Sequence, residues 1–190
     1  MTKRSNRVAI AILGAAAFTL AGCREEQVDA QAFPDLKSCN DAVTETGVFS
    51  AQDCAMAFEE AETLHIEAAP RYESLAVCEE QHGEGACGAE ASEMQGGSGG
   101  IFMPLMAGYL IGNMMRGTAG MAASQPLYKT PDGKFTNAKG TSSFSSNRGA
   151  AKLGTSQFTR PTSTVGKAPM NRATAASRGG FGASRTGFGG

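Results

Sequence analysis

Four cysteines, Cys39, Cys54, Cys78 and Cys87, set the strongest limit on how this chain folds. They lie in a short acidic stretch, and domains of that size bury too little apolar surface to be stable without cross-links. The chain opens with the parts of a secretory signal: basic Lys3, Arg4 and Arg7, an apolar run from Val8 to Leu20, and small residues up to Gly22. The apolar run is too short to span a bilayer, so residues 1–22 are read as a cleaved signal peptide. Export delivers the cysteines to an oxidising compartment, where an even number reads as two disulfides.

A faint internal repeat bears on their pairing. Phe33-Pro34-Asp35-Leu36-Lys37-Ser38-Cys39 aligns with Tyr72-Glu73-Ser74-Leu75-Ala76-Val77-Cys78, with aromatic, leucine and cysteine at the same spacings. Leucine and cysteine three apart share one helical face. A glycine break follows each copy, at Gly47 and at Gly83-Glu84-Gly85, before the next cysteine. That favours Cys39 with Cys54 and Cys78 with Cys87, although spacing alone leaves the two other connectivities open. Between the copies, Ser50 and Asp53 give a capping-box-like helix start. Cys54, Phe58, Ala61, His65 and Ala68 then form one stripe, and Pro70 ends the helix.

Leu20-Ala21-Gly22-Cys23 resembles the lipobox of bacterial lipoproteins at all four positions. The resemblance implies cleavage before Cys23, lipidation of its thiol, and a firm membrane anchor, since each buried methylene contributes about 0.8 kcal/mol. In enterobacterial lipoproteins an Asp after the cysteine retains the protein at the inner membrane. Arg24 stands there instead, which favours the outer membrane.

Charge divides the mature chain. Residues 24–95 hold 17 acids against three bases, whereas residues 116–190 hold 11 bases against Asp132 alone. Opposed blocks of this kind call for electrostatic pairing within the chain, between copies, or with an outside polymer. Between them, Gly96-Gly97-Ser98-Gly99-Gly100 forms a joint. Residues 101–115 follow without a charge. As a helix they would be roughly 22 Å long, short of a ~30 Å hydrocarbon core. Gly108 and Gly112 form Gly-x-x-x-Gly, the expected helix-contact site for self-association, membrane contact or internal packing. Past Pro126 the chain turns Ser/Thr/Gly/Ala-rich. Leu127 to Thr130, Pro131-Asp132-Gly133 and Lys134 to Thr136 read as a small hairpin. Beyond Gly140, disorder is expected.

The lipobox, the paired-cysteine stretch ending in Gly83-Glu84-Gly85-Ala86-Cys87, the run Met103-Pro104-Leu105-Met106-Ala107-Gly108-Tyr109 and the Arg178-Gly179-Gly180-Phe181-Gly182 tail occur in that order. Together they resemble the YgiB family of small bacterial proteins, whose name is linked to biofilm formation. The resemblance implies an envelope role and carries over no activity and no catalytic residues.

The expected architecture is a small, mostly α, disulfide-stapled module over residues 23–95, a glycine-rich apolar helix within 96–125, and a largely disordered basic tail over 126–190. The expected function is that of a non-enzymatic cell-envelope lipoprotein. Its partners would be the membrane, through the lipid on Cys23, and anionic envelope polymers or further copies of itself. No cofactor and no small-molecule substrate is implied. The alternative is a periplasmic thiol-redox or metal-handling accessory. It rests on Cys54 in a helix's first turn, where the dipole lowers a thiol's pKa, and on His82 among the carboxylates of Cys78 to Glu84. No nucleophile–base pattern points to an enzyme.

Overall fold

A computed structural model of the chain describes residues 26–46, 49–90, 100–113 and 123–178. The signal residues 1–22, the lipidation site Cys23, the joint before Gly100, Met114 and Met115, and the tail beyond Arg178 lie outside them.

The fold is mixed rather than mostly helical. Its centre is a strongly curled, five-stranded antiparallel sheet. β1 (Gln27–Phe33) runs between β4 (Met106–Gly112) and β7 (Gly149–Gly154); β5 (Ser124–Lys129) pairs outside β4, and β6 (Phe135–Asn137) outside β5. A small second sheet pairs β2 (Cys87–Ala89) with β3 (Phe102–Pro104). The helices are α1 (Leu36–Thr46), α2 (Ala51–Ala68), α3 (Leu75–His82) and α4 (Arg172–Ser177), with a 3-10 turn at Thr155–Phe158. Among the described residues, no helix is long and apolar enough to cross a membrane.

The expected helix over 101–115 is therefore wrong over its described part, which forms β3 and β4. The reason lies in what covers β4. Its odd side chains, Tyr109 and Ile111, face α1 and α2 in a core with Phe33, Cys39, Cys54, Ala57 and Ala61. Its Leu110 faces the other way, into a core with Ala30, Ala32, Leu127 and Phe158. A strand buried on both faces loses its alternation and reads as a continuous apolar run. Gly108 and Gly112 accordingly serve no helix contact. Gly108 sits at a register shift between β4 and β5 with φ +146°, and Gly112 lies beneath the Phe158 ring.

The expected disorder beyond Gly140 is also corrected. β7 matches β1 from Gln27↔Gly154 to Ala32↔Gly149, and the 3-10 turn carries the fully buried Phe158. Residues 126–178 thus complete the sheet and its second core rather than trailing from a finished module.

Local capping accounts for the helices. Ser50 and Asp53 form a reciprocal capping box at α2, with Ser50 N donating to Asp53 Oδ2 (3.0 Å) and Asp53 N to Ser50 Oγ (3.1 Å). α2 buries Cys54, Ala57, Ala61, Leu64 and Ala68. Phe58 and His65, expected on the same stripe, sit at its half-buried margin. The two repeat copies share one local form. Asp35 and Ser74, aligned in sequence, accept from Ser38 N (2.7 Å) and Val77 N (3.3 Å) respectively, and each helix opens behind a buried aromatic, Phe33 or Tyr72. Cys39 is bonded to Cys54, tying α1 to α2, and Cys78 to Cys87, tying α3 to β2. The hairpin forms as read, with Tyr128 opposite Thr136 and Lys129 opposite Phe135.

Candidate functional site

The opposed charges meet within the chain. Arg160 lies 3.6 Å from Glu60 and 3.5 Å from Glu67, Lys152 lies 2.9 Å from Asp29, and Arg172 pairs with Glu80. The most buried ion pair lies within the acidic half and centres on Arg71, which also reaches across to Thr164. Its side chain is only 3% exposed and its guanidinium donates to Glu90 Oε1 at 2.8 Å. It also donates to Ile66 O (2.8 Å), Ala69 O (3.5 Å) and Thr164 Oγ1. Ile66 O and Ala69 O belong to the end of α2, where the last carbonyls lack intrahelical donors. Thr164 Oγ1 donates in turn to Ala69 O (2.7 Å), and Thr164 N to Glu67 O (2.8 Å). Arg71 thus pins the segment 161–168 to the end of α2. A buried charge of this kind is tolerable only when paired and fully hydrogen-bonded.

Pinning that segment creates a cleft of about 460 Å³, within the size range of small-ligand sites. One wall is the end of α2 through Arg71; another is the turn Ala138-Lys139-Gly140 after β6; the rest is Pro161 to Ala168 with Met170, Ala175 and Arg178. Three exposed cations, Lys139, Lys167 and Arg178, line it together with Arg71, whose charge is paired with Glu90; among the described residues no carboxylate, histidine or cysteine lines it. Lys139 and Lys167 are exposed and form no ion pair among the described residues. Low dielectric walls around like charges concentrate a positive field, which draws anions.

Next to Arg71 in sequence begins a chain of rings, the buried Tyr72, His82 and Tyr128 and the half-buried His65. Ring centroids are 5.6 Å apart for Tyr72–His82, 6.1 Å for His82–Tyr128 and 5.7 Å for His65–Tyr128. Lys129 O can only accept, so His82 Nδ1 carries the hydrogen that meets it at 2.9 Å. His82 Nε2 then accepts from the Tyr72 hydroxyl at 2.9 Å. Burial holds His82 neutral and pushes its pKa down to about 4, partly opposed by the Lys129 carbonyl. Burial, and then the Arg71 charge, lower His65 as well. Burial raises the Tyr72 and Tyr128 hydroxyls far above their usual range.

The residues singled out by their chemistry in the sequence are engaged elsewhere. Cys54 does occupy the first turn of α2, but it is fully buried and disulfide-bonded. Of the polar group at 78–84, His82 is committed to Tyr72 and Lys129, Glu79 accepts from Gly85 N (2.9 Å), and Glu80 pairs with Arg172. No cluster of three or more ligating side chains occurs among the described residues. Arg71 was missed as an organising residue. A lone Arg after Pro70 in an acidic stretch was a faint pointer, because such a charge needs a fixed partner, but that partner is 19 residues away.

A curled antiparallel sheet braced by two disulfide-bonded helical units, with a basic cleft between the end of α2 and the turn after β6, defines the class of this protein. The chain belongs to the DUF1190 family, described as a protein of unknown function, whose profile matches residues 27–188 and so begins at β1. It is 34% identical to a UPF0441 protein of Erwinia tasmaniensis, over 92% of this chain and 79% of the relative. A UPF0441 protein of Pectobacterium carotovorum is also 34% identical (94% and 81% covered), and one of Klebsiella pneumoniae 32% (92% and 79%). No solved structure matches the chain.

Proposed function

We propose that this protein is a non-enzymatic cell-envelope lipoprotein, anchored through Cys23, that holds anionic envelope material in its basic cleft. The observation that carries the reading is the cleft's lining: exposed Lys139, Lys167 and Arg178, the two lysines without an ion pair among the described residues, beside the Glu90-paired Arg71, and no carboxylate among the described lining residues. Among the described lining residues there is no histidine, cysteine or carboxylate to act as acid or base, which favours binding over catalysis. The lipobox-like Leu20-Ala21-Gly22-Cys23 supports the envelope location. Resemblance to the YgiB family adds an association with biofilm formation, to which an anion-binding surface protein is suited.

Deleting residues 126–190 does not test this, because it removes β6, β7 and most of β5 from the sheet. Charge reversal at the cleft rim does. The double variant Lys139→Glu/Lys167→Glu is expected to bind fluorescent dextran sulfate about tenfold or more weakly than wild type, at unchanged thermal midpoint. Equal binding by the two proteins contradicts the reading.

A further inference from the structure

The five-stranded sheet ends in β6 on one side and in β7 on the other. The β6 edge is partly covered: Phe135 N donates to Phe144 O and Phe144 N to Phe135 O, both at 2.8 Å. β7 is covered by no strand among the described residues. At both of its ends the chain turns in across the sheet rather than along the edge. Before β7, Asn147 Nδ2 donates to Ala107 O at 2.6 Å; after it, the Phe158 ring lies over Gly112. Gly149, Ala150, Ala151 and Lys152 are left exposed. An open edge of this kind is a template for another strand.

Two hydrogen bonds fix which backbone groups this edge offers. Thr155 N donates to Glu26 O (2.9 Å) and Asn113 N to Asp29 O (2.8 Å). Bonded and non-bonded pairs alternate along an antiparallel ladder, so the even residues of β1 bond to β7 and the odd ones to β4. Ala151 and Leu153, opposite Ala30 and Val28, therefore turn their N–H and C=O groups towards β1. Ala150 and Lys152, opposite Gln31 and Asp29, turn theirs outwards, where nothing among the described residues meets them.

We propose that β7 joins two copies of this chain edge to edge, about a two-fold axis at Ala151, into one continuous sheet. Two-fold antiparallel pairing must set outward residues against outward residues, so it centres on Ala150, Ala151 or Lys152. Centring on Lys152 brings two like charges face to face, and centring on Ala150 sets Lys152 against Arg148 of the second copy; both are unfavourable. Centring on Ala151 sets Ala150 against Lys152 of the second copy, and each such pair exchanges both of its N–H···O bonds. Ala151 then meets Ala151 as a non-bonded pair with Cα atoms about 4.5 Å apart, a spacing that small side chains fit. Lys152 keeps its own counter-ion, Asp29, at 2.9 Å. Ala30 and Ala151 of both copies form one row, so the second core, which holds Ala30, continues across the axis. The dimer is independent of what the basic cleft holds.

The test uses the full chain extracted from membranes in detergent, as wild type and as the variants Ala151→Cys and Ala150→Cys. Each is oxidised gently with copper phenanthroline and separated without reductant, with wild type as the blank. A cysteine at 151 faces its own copy at a distance that a disulfide spans, whereas two at 150 stand diagonally apart. Ala151→Cys is expected to form the linked dimer about tenfold faster than Ala150→Cys. Equal rates, or no dimer at 151 beyond the blank, overturn the proposal. Charge supplies a second readout. Ala151 is exposed in the single copy, so Ala151→Lys and Ala151→Glu should each fold with an unchanged circular dichroism spectrum yet sediment as single copies. Mixing the two should restore the dimer, because opposite charges then meet at the axis. Variants that stay dimeric on their own, a mixture that stays monomeric, or a monomeric wild type would each overturn the assignment.

Discussion

A Cβ on Gly108 would stand 2.6 Å from the carbonyl oxygen of Phe33, so β4 passes β1 at this point more closely than any side chain permits. The residue also holds φ +146°, which L side chains rarely adopt. Gly108→Ala is therefore expected to lower stability by about 2–3 kcal/mol in urea unfolding. Gly112→Ala would meet the Phe158 ring at 2.8 Å, and because a ring can shift where backbone cannot, it should cost less, about 1–2 kcal/mol.

The ring chain makes stability depend on pH. His82 has a folded-state pKa of about 4 against 6.5 when free, so the unfolded chain takes up a proton that the folded chain resists. Stability is whole above pH 6.5 and falls as pH drops through the window to about 4, by about 3 kcal/mol when complete. His65 shifts in the same direction and adds to the effect. Urea midpoints at pH 7.5 and 4.5 should fall further for wild type than for His82→Asn. Equal falls would show that His82 is not kept neutral by the fold.

Both disulfides close short loops, with sequence separations of 15 from Cys39 to Cys54 and nine from Cys78 to Cys87. Loop-closure entropy assigns each about 2.5–3 kcal/mol. The double variants Cys39→Ser/Cys54→Ser and Cys78→Ser/Cys87→Ser should each lose about that much at the urea midpoint. The first removes a link in the main core and should also expose α1 to proteolysis.

Tyr109 is fully buried, and its hydroxyl has no hydrogen-bond partner among the described residues. A buried hydroxyl without a partner carries a desolvation cost with no return. Tyr109→Phe keeps the ring against Phe33 and Phe58 and is expected to raise stability by about 1 kcal/mol. A lower thermal midpoint would mean that the hydroxyl has a partner after all.

What was legible in the sequence is what short-range chemistry decides. The Ser50–Asp53 box, the stop before Pro70, the Pro131-Asp132-Gly133 turn and the shared opening of the two repeat copies all depend on residues within a few positions of each other. The sheet depends on partners far apart. β7 is Gly-Ala-Ala-Lys-Leu-Gly, mostly exposed, and gains its structure only from β1, more than 115 residues earlier. Nothing in its own composition marks it as a strand. β4 failed for the opposite reason, because burial on two faces erased its period. The cleft was legible only as a surplus of cations; its walls exist because Arg71 gathers Glu90 and Thr164 around the end of α2.

Whether the cleft itself, rather than the chain's general charge, takes up anions is the central question. The most direct measurement compares dextran sulfate binding by Lys139→Glu/Lys167→Glu with that by Lys37→Glu/Lys152→Glu, whose lysines lie outside the cleft and pair with Asp41 and Asp29. Both variants change net charge equally. The account predicts about a tenfold loss for the cleft pair and little change for the control. Equal losses in the two would contradict it.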